Sequence, residues 1–234
     1  MIIGNGLIAN AFKNSTINNH DNIIFASGVS NSNEIREKEF LREEKLLINA
    51  CSLKKFIIYF STCSVYDQTI NDSPYVIHKL KMESLVIKNN TNGYLIFRLP
   101  LVVGNTNNKN TLVSYLNNSI KTEKKIIVWK FAKRRLIDIV DIEKITSAIY
   151  KKFKSLQLRE NIINIAPPNS YDILHIIKEL ELINKKKASY YIIPKGSDYK
   201  INIKTCMRFA NNMKINFDKN YLKIILNKYF NSND

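Results

Sequence analysis

Short apolar runs alternate with longer amphipathic segments along most of the chain. Continuous apolar runs of about four to eight residues are typical of strands buried on both faces. Apolar positions spaced three and four apart are typical of helices that pack on such strands. The alternation of the two patterns therefore predicts a parallel α/β sheet flanked by helices.

The pattern also places the individual elements. The predicted strands are the apolar runs 1–3, 22–26, 56–60, 94–97 and 162–165, and 126–128 is strand-like as well. The predicted helices cover 7–12, 34–50, 73–88, 111–120, 142–153 and 171–182. Ser73 followed by Pro74 is typical of a helix start, because proline is favoured in the first helical turn.

Composition and cysteine usage narrow the class of protein. The 234 residues are 45% hydrophobic and 24% charged, which excludes wholesale disorder and fits one domain, with or without a small lobe. No apolar run approaches the roughly 20 residues of a membrane span, and Met1 leads directly into a motif, so we expect no signal peptide. Three cysteines without a CxxC pair predict a reduced, cytoplasmic protein, and no His/Cys/Asp spacing predicts a metal site.

The positive charge is concentrated in the C-terminal part. The chain carries 36 Lys+Arg and 20 Asp+Glu, a net charge of +16, of which +14 belongs to residues 99–234. Such a positive field can bind nucleic acid, an anionic membrane surface or a phosphate-bearing small molecule. The alternative is that the excess of positive charge comes only from solvated, lysine-rich surfaces. No nucleic-acid-binding motif accompanies the charge, so we predict neither nucleic acid nor membrane insertion.

A phosphate-binding turn is predicted between the first strand and the first helix. Residues 4–9 match G-x-G-x-x-G/A, with Gly4 for the tight turn, Gly6 for close approach of a pyrophosphate, and the small Ala9 for packing. An ordinary strand-turn-helix is the alternative. The acid that usually binds the adenosine ribose is not obvious, since Asp21, the only acid near that spacing, precedes a strand.

Two linked segments carry the strongest chemical signal. Residues 61–66 (Ser-Thr-Cys-Ser-Val-Tyr) follow the most apolar strand, where open parallel sheets place ligands. Tyr75 and Lys79 stand four residues apart at a helix start and so share one face. A nearby ammonium lowers the pKa of a phenol, and a hydroxyl such as that of Thr62 can hold a substrate oxygen. Together they predict general acid/base catalysis at a carbinol or carbonyl carbon, the alternative being a surface Tyr-Lys pair.

These motifs resemble the extended short-chain dehydrogenase/reductase family, in the NAD-dependent epimerase/dehydratase group that acts on nucleotide sugars. The likeness also includes 24–30, 98–104 and 135–141, and it covers most of the chain. It implies a Rossmann-like cofactor-binding domain over 1–105 and 136–166 and a small substrate-binding lobe over 106–135 and 167–234. It also implies NAD or NADP as cofactor, a nucleotide-sugar substrate and a homodimer.

The resemblance assigns roles to individual residues. Thr62 would hold the sugar oxygen, Tyr75 would be the acid/base, and Lys79 would bind the nicotinamide ribose and tune Tyr75. Arg135 would pair with the substrate diphosphate, the alternative being a surface charge. The residues implied for the cofactor are Gly4, Asn5, Gly6, Leu7, Ile8, Ala26, Ser27, Phe60, Tyr75, Lys79, Leu99 and Val102, and those for the substrate are Thr62, Cys63, Asn110 and Arg135.

Departures from the family pattern refine the expectation. If 24–30 is the fourth strand of the family, its second and third strands, which cradle adenosine, are missing. Cys63 and Ser64 stand where dehydratase members have Asp-Glu, so sugar dehydration is not expected. With these departures, the resemblance implies an NAD(P)-dependent reductase or epimerase of a nucleotide-linked sugar that acts in the synthesis of bacterial surface polysaccharide. A non-catalytic nucleotide or nucleotide-sugar binding protein is the alternative.

Overall fold

The computed structural model of the chain describes residues 1–231. Its strands are β1 (Ile2–Ile3), β2 (Asn22–Phe25), β3 (Phe56–Thr62), β4 (Tyr94–Leu99), β5 (Leu101–Val103), β6 (Ile126–Trp129), β7 (Lys133–Arg134), β8 (Leu136–Asp138), β9 (Glu160–Asn164), β10 (Tyr171–Asp172) and β11 (Tyr190–Ile193). Its α-helices are α1 (Leu7–Ala11), α2 (Glu37–Ser52), α3 (Pro74–Asn89), α4 (Leu112–Lys121), α5 (Ile139–Ser155), α6 (Ile173–Asn184), α7 (Lys204–Asn212) and α8 (Tyr221–Phe230).

The central sheet has five parallel strands in the order β1-β2-β3-β4-β9. Three further strand pairs, β5 with β8, β6 with β11 and β7 with β10, lie outside it. Helices separate the successive strands of the large sheet, as parallel connections require. The predicted Rossmann-like α/β fold is confirmed, and β9 and the helices α3 to α6 lie close to their predicted positions.

Alternate residues of the buried strands pack into two separate layers, because successive side chains of a strand point to opposite faces. One layer, formed with α2 and α3, contains Ile23, Phe25, Ile57, Tyr59, Leu47 and Met82. The other layer, which includes α5 and the C-terminal helices, contains Ile24, Ile58, Phe60, Phe97, Ile145 and Leu226. The sheet is therefore covered on both faces, and its strand ends are left for binding.

The sheet is trimmed on one side, as the sequence predicted. Residues 12–21 connect α1 to β2 directly, and β2 pairs with β1. Within residues 1–231 no further strand pairs with β1, so β1 is an edge strand. The strands that cradle adenosine in the family are thus replaced by a short connection. In the same described part of the chain, no helix has both the length and the apolar character needed to span a membrane.

The C-terminal segment is anchored to the sheet domain through the predicted 135–141 motif. The Tyr221 hydroxyl accepts from the Asp138 amide at 2.9 Å and donates to Asp141 Oδ2 at 2.6 Å. Burial raises the pKa of the Asp141 carboxyl, and the hydrogen bond from Tyr221 opposes that rise. This fixes α8 against the start of α5. The division into two domains stays a prediction.

Candidate active site

The glycine turn after β1 packs against the backbone of Ala26 on one side and is open on the other. Gly4 has φ +134°, and a Cβ there would lie 2.4 Å from the Ala26 carbonyl oxygen, so only glycine fits. A Cβ at Gly6 would meet nothing within 4 Å. Gly6 is also the N-cap of α1 and has no side chain to cap it. The turn therefore presents open backbone to a ligand, as a pyrophosphate requires.

One cleft of about 970 Å³ joins this turn to the ends of the central strands and to the C-terminal part of the chain. It is lined by most of the predicted site residues: Asn5, Gly6, Leu7, Ile8, Ala26, Ser27, Phe60, Thr62, Tyr75, Lys79, Leu99, Val102, Asn110 and Arg135. Two predicted site residues, Gly4 and Cys63, are not among the residues that line the cleft. The structure thus brings the cofactor, catalytic and substrate candidates to one continuous space.

Thr62 and Tyr75 lie together at the carboxyl end of β3. Thr62 ends that strand, and its hydroxyl accepts from the Ser64 amide at 3.0 Å, which starts a 3₁₀ turn at Cys63–Tyr66. Tyr75 is the second residue of α3, whose N-cap is Ser73. Burial raises the pKa of Tyr75, while the Lys79 ammonium and a hydrogen bond with Thr62 lower it. Because burial outweighs both, the free protein holds this phenol protonated at neutral pH.

Lys79 reaches the cleft from the next turn of α3, but its ammonium is already engaged on its inner side. Nζ donates to Glu43 Oε1 at 3.0 Å and to the Tyr59 hydroxyl at 3.1 Å. An ammonium has three donors, so one N–H remains for a ligand in the cleft. A ribose hydroxyl is a suitable acceptor, and the predicted role of Lys79 therefore fits its surroundings.

Glu43 is a residue that the sequence interpretation missed. It lies on α2 and is fully buried, with Leu47 and Ala50 on the same side of the helix. The spacing of four and seven residues from Glu43 to these apolar positions is the signal that could have found it, since it places a carboxylate on the buried helix face. A carboxylate in that position requires a cationic or hydrogen-bonding partner.

Cys63 and Arg98 lie behind the cleft wall rather than in it. The Cys63 side chain is fully buried, its thiol donates to the Arg98 carbonyl at 3.3 Å, and burial raises the pKa of the thiol to about 12. The Arg98 guanidinium is paired with Glu83 at 2.6 Å and donates to the Tyr66 hydroxyl at 2.8 Å. Cys63 therefore presents no accessible atom to a substrate, and the structure does not support its predicted substrate contact.

Arg135 lines the far end of the cleft and is held by backbone carbonyls. Its guanidinium donates to the carbonyl of Pro167 at 3.1 Å and to that of Pro168. Among residues 1–231, no carboxylate lies within 4 Å of Arg135, whereas its neighbour Arg134 is paired with Asp67 at 3.2 Å. Arg135 thus keeps donors for an anion in the cleft, as a diphosphate would need.

Comparisons with known proteins identify the family and the fold of the chain. The family model described as the NAD dependent epimerase/dehydratase family matches residues 18–166. No curated protein matches the chain. A UDP-glucuronic acid 4-epimerase from Bacillus cereus, solved with UDP-glucuronic acid and NAD, has a TM-score of 0.69 at 21% identity, over 90% of this chain and 74% of that one.

Two other solved structures are similar. The UDP-glucose 4-epimerase of Thermus thermophilus, solved with NAD, has a TM-score of 0.69 at 10% identity, over 92% of this chain and 78% of that one. The ADP-L-glycero-D-manno-heptose-6-epimerase of Helicobacter pylori has a TM-score of 0.63 at 19% identity, over 89% and 71%. These likenesses show the fold.

The match of the family model to more than half of the chain confirms the predicted family, the enzyme class and the nicotinamide cofactor, without distinguishing NAD from NADP. The chain belongs to the NAD-dependent epimerase/dehydratase family.

Proposed function

We propose that the chain is an NAD-dependent epimerase or reductase of a nucleotide-linked sugar. The observation that carries the proposal is the single cleft that contains the glycine turn, Thr62, Tyr75, Lys79 and Arg135. The similar structures named above are epimerases of nucleotide sugars, and two of them were solved with NAD. The sheet ends at β1, so the fit to a dinucleotide is best over its phosphate and nicotinamide parts.

The roles follow from the position of each group. NAD, when bound, supplies reversible hydride exchange at a sugar carbon. The Thr62 hydroxyl holds the oxygen on that carbon, and the Tyr75 phenol gives or takes its proton. The Lys79 N–H that remains free binds the nicotinamide ribose. The open backbone at Gly6 accepts the pyrophosphate of the cofactor.

The protonation state of Tyr75 determines whether it first acts as an acid or as a base. Because burial raises the pKa of Tyr75, the free protein is prepared to donate a proton to a carbonyl oxygen. Acting as a base requires the phenolate, which the Lys79 ammonium and the Thr62 hydroxyl favour. Cys63 and Ser64 provide no acid/base pair beside Thr62, so dehydration is not proposed.

An assay with nucleotide sugars tests the proposal. The protein is incubated with UDP-, dTDP- and GDP-linked sugars and with NAD, NADH or NADPH, while product is followed by NMR and the nicotinamide by absorbance. An epimerase gives a new sugar without net change of cofactor, and a reductase consumes one NAD(P)H per product. Binding of a sugar nucleotide without turnover, and without dinucleotide binding at millimolar concentration, would instead favour the non-catalytic binding protein.

The wider context stays a prediction from the sequence. It comprises a cytoplasmic location, a place in the synthesis of bacterial surface polysaccharide, and a homodimer.

We expect Arg135→Met to raise the KM for the nucleotide sugar about 10- to 150-fold. This corresponds to loss of a charge-assisted hydrogen bond, about 1.5–3 kcal/mol. The Kd for NAD should not change, because Arg135 is placed with the substrate. Lys133→Met, two residues earlier and half-exposed, is the matched control and should leave KM within twofold. An unchanged KM in Arg135→Met would mean that Arg135 is only a surface charge.

A further inference from the structure

The carboxylate of Glu43 lies beneath the cleft and is surrounded by donors from three sides. Its Oε1 accepts from the Tyr59 hydroxyl at 2.6 Å and from Lys79 Nζ at 3.0 Å. Its Oε2 accepts from the Val29 amide at 2.6 Å and lies 3.0 Å from the His78 imidazole Nε2. The carboxylate is fully buried, and these four partners fill its acceptor positions. The group is therefore fixed within the fold and has no capacity left for a ligand.

The ion pair between Glu43 and Lys79 is electrostatically strong. Burial alone would raise the pKa of Glu43, but the Lys79 ammonium and the hydrogen bonds from His78, Tyr59 and Val29 hold the pKa of that carboxyl well below its usual range. The carboxylate is thus charged at every pH at which the protein would be assayed. A buried ammonium needs such a partner, and Lys79 is only 3% exposed.

Gly28 lies beside this pair at the edge of the cleft. A Cβ at position 28 would lie 2.5 Å from Lys79 Nζ and 3.0 Å from Glu43 Oε1. Gly28 and Lys79 both line the cleft. A residue with any side chain at position 28 would therefore have to displace the ammonium. The absence of a side chain at Gly28 leaves room for Nζ to remain between Glu43 and the cleft.

We propose that Glu43 is a positioning residue, which together with Gly28 holds the Lys79 ammonium so that its remaining N–H donates into the cleft. The proposal rests on the proposed function, because the acceptor in the cleft is the ribose of the nicotinamide nucleotide. Glu43 acts only through Lys79 and Tyr75 and does not touch the substrate. It holds the amine in one place with one free donor, which a lysine without this partner would not do.

Gly28→Ala tests the position of the ammonium without changing any charge. We expect the Kd for NAD, measured by calorimetry, to rise about tenfold or more, because a charge-assisted hydrogen bond to the ribose is lost or misaligned. The melting temperature should fall, because the added Cβ displaces the ammonium of a buried ion pair and lies 3.0 Å from Glu43 Oε1, so the Kd is measured well below the unfolding transition. Ile35→Ala, in the same connection, is the matched control and should bind NAD like the wild type, because Ile35 is 78% exposed and does not line the cleft.

Glu43→Gln tests the charge through a pH profile. The groups near the Tyr75 phenol are Lys79 on its own helix, Glu43 on α2, Tyr59 and Thr62 on β3, and Cys63 in the following turn. Glu43 raises the pKa of Tyr75, whereas Lys79 lowers it. Loss of the Glu43 charge by itself lowers the pKa of Tyr75, whereas displacement of the Lys79 ammonium raises it. If Glu43 positions Lys79, the limb of the pH profile of turnover that belongs to Tyr75 should move to higher pH in Glu43→Gln. A Glu43 that acts only as a nearby charge would move that limb to lower pH.

Lys79→Met separates the failure of this proposal from the failure of the proposed function. If Lys79→Met binds NAD and turns over like the wild type, the proposed role of Lys79 is wrong. If Lys79→Met weakens NAD binding but Gly28→Ala does not, the positioning role of Glu43 is overturned and the proposed function stands. If Glu43→Gln does not fold, the Kd of Gly28→Ala for NAD tests the positioning of the Lys79 ammonium by itself. A Tyr75 limb that moves to lower pH, or does not move, in a folded Glu43→Gln also overturns the proposal.

Discussion

Tyr75→Phe is expected to lower turnover of the nucleotide sugar by about 10²- to 10⁴-fold, the usual contribution of a positioned general acid/base. The substitution removes only the hydroxyl that gives or takes the proton, and it keeps the ring that packs with Val29 and Val76. The Kd for NAD should stay within a few-fold of the wild-type value, since Lys79 keeps its contacts to Glu43 and Tyr59. Turnover is followed by NMR detection of product, and binding by calorimetry.

Tyr115→Phe is the control for this experiment. Tyr115 also lines the cleft, from α4, but it is 43% exposed and distant in sequence from the Thr62, Tyr75 and Lys79 group. We expect its substitution to change turnover less than threefold. Equal turnover in Tyr75→Phe and wild type, with the melting temperature unchanged, would remove Tyr75 from the mechanism. A loss of turnover accompanied by a large loss of stability would be attributed to folding instead.

The elements that build the site could be predicted because their signals are local. Continuous apolar runs located β3 and β4 to within a few residues, and Ser73-Pro74 located the start of α3. The four-residue spacing of Tyr75 and Lys79 places both on one helical face, and both line the cleft. The trimming of the sheet was also visible, since the distance along the chain from α1 to β2 leaves no space for two further strands.

Long-range pairing could not be predicted in the same way. The parallel pairing of β6 with β11 joins segments more than sixty residues apart, and the exposed faces of β11 give a weak pattern. Helix α8 carries a recognisable signal, since Tyr221, Leu222, Ile225 and Leu226 are buried at helical spacing, but its Lys- and Asn-rich surroundings conceal it.

The orientation of single side chains was the second feature that could not be predicted from the sequence. Cys63 follows Thr62 directly, yet the 3₁₀ turn places the thiol in the core and Thr62 in the cleft. Likewise, the partner of Lys79 comes from α2, and no spacing within α3 reveals it. Contacts between different helices and strands, and the chemistry that depends on them, therefore could not be predicted from the sequence.

The second large effect is a loss of stability when the ion pair between Arg98 and Glu83, behind the cleft, is broken. Glu83 accepts from the Arg98 guanidinium at 2.9 and 2.6 Å and from the Ser61 hydroxyl at 2.5 Å. Its side chain is 4% exposed and that of Arg98 is 15% exposed. Arg98→Met should lower the free energy of unfolding by about 3–5 kcal/mol, because it leaves the buried carboxylate without its cation.

A double-mutant cycle shows whether this loss comes from the pair. Arg98→Met combined with Glu83→Leu should cost less than the two single substitutions together, because no unpaired charge is left. The control is Lys81→Met, since Lys81, also on α3, joins Glu44 of α2 at 2.7 Å but is 59% exposed. Exposed pairs contribute about 0–1 kcal/mol, so the control should change the urea-unfolding free energy by no more than that. If Arg98→Met behaves like Lys81→Met, the Arg98–Glu83 pair does not hold β4 to α3, and the wall behind Thr62 depends on apolar packing instead.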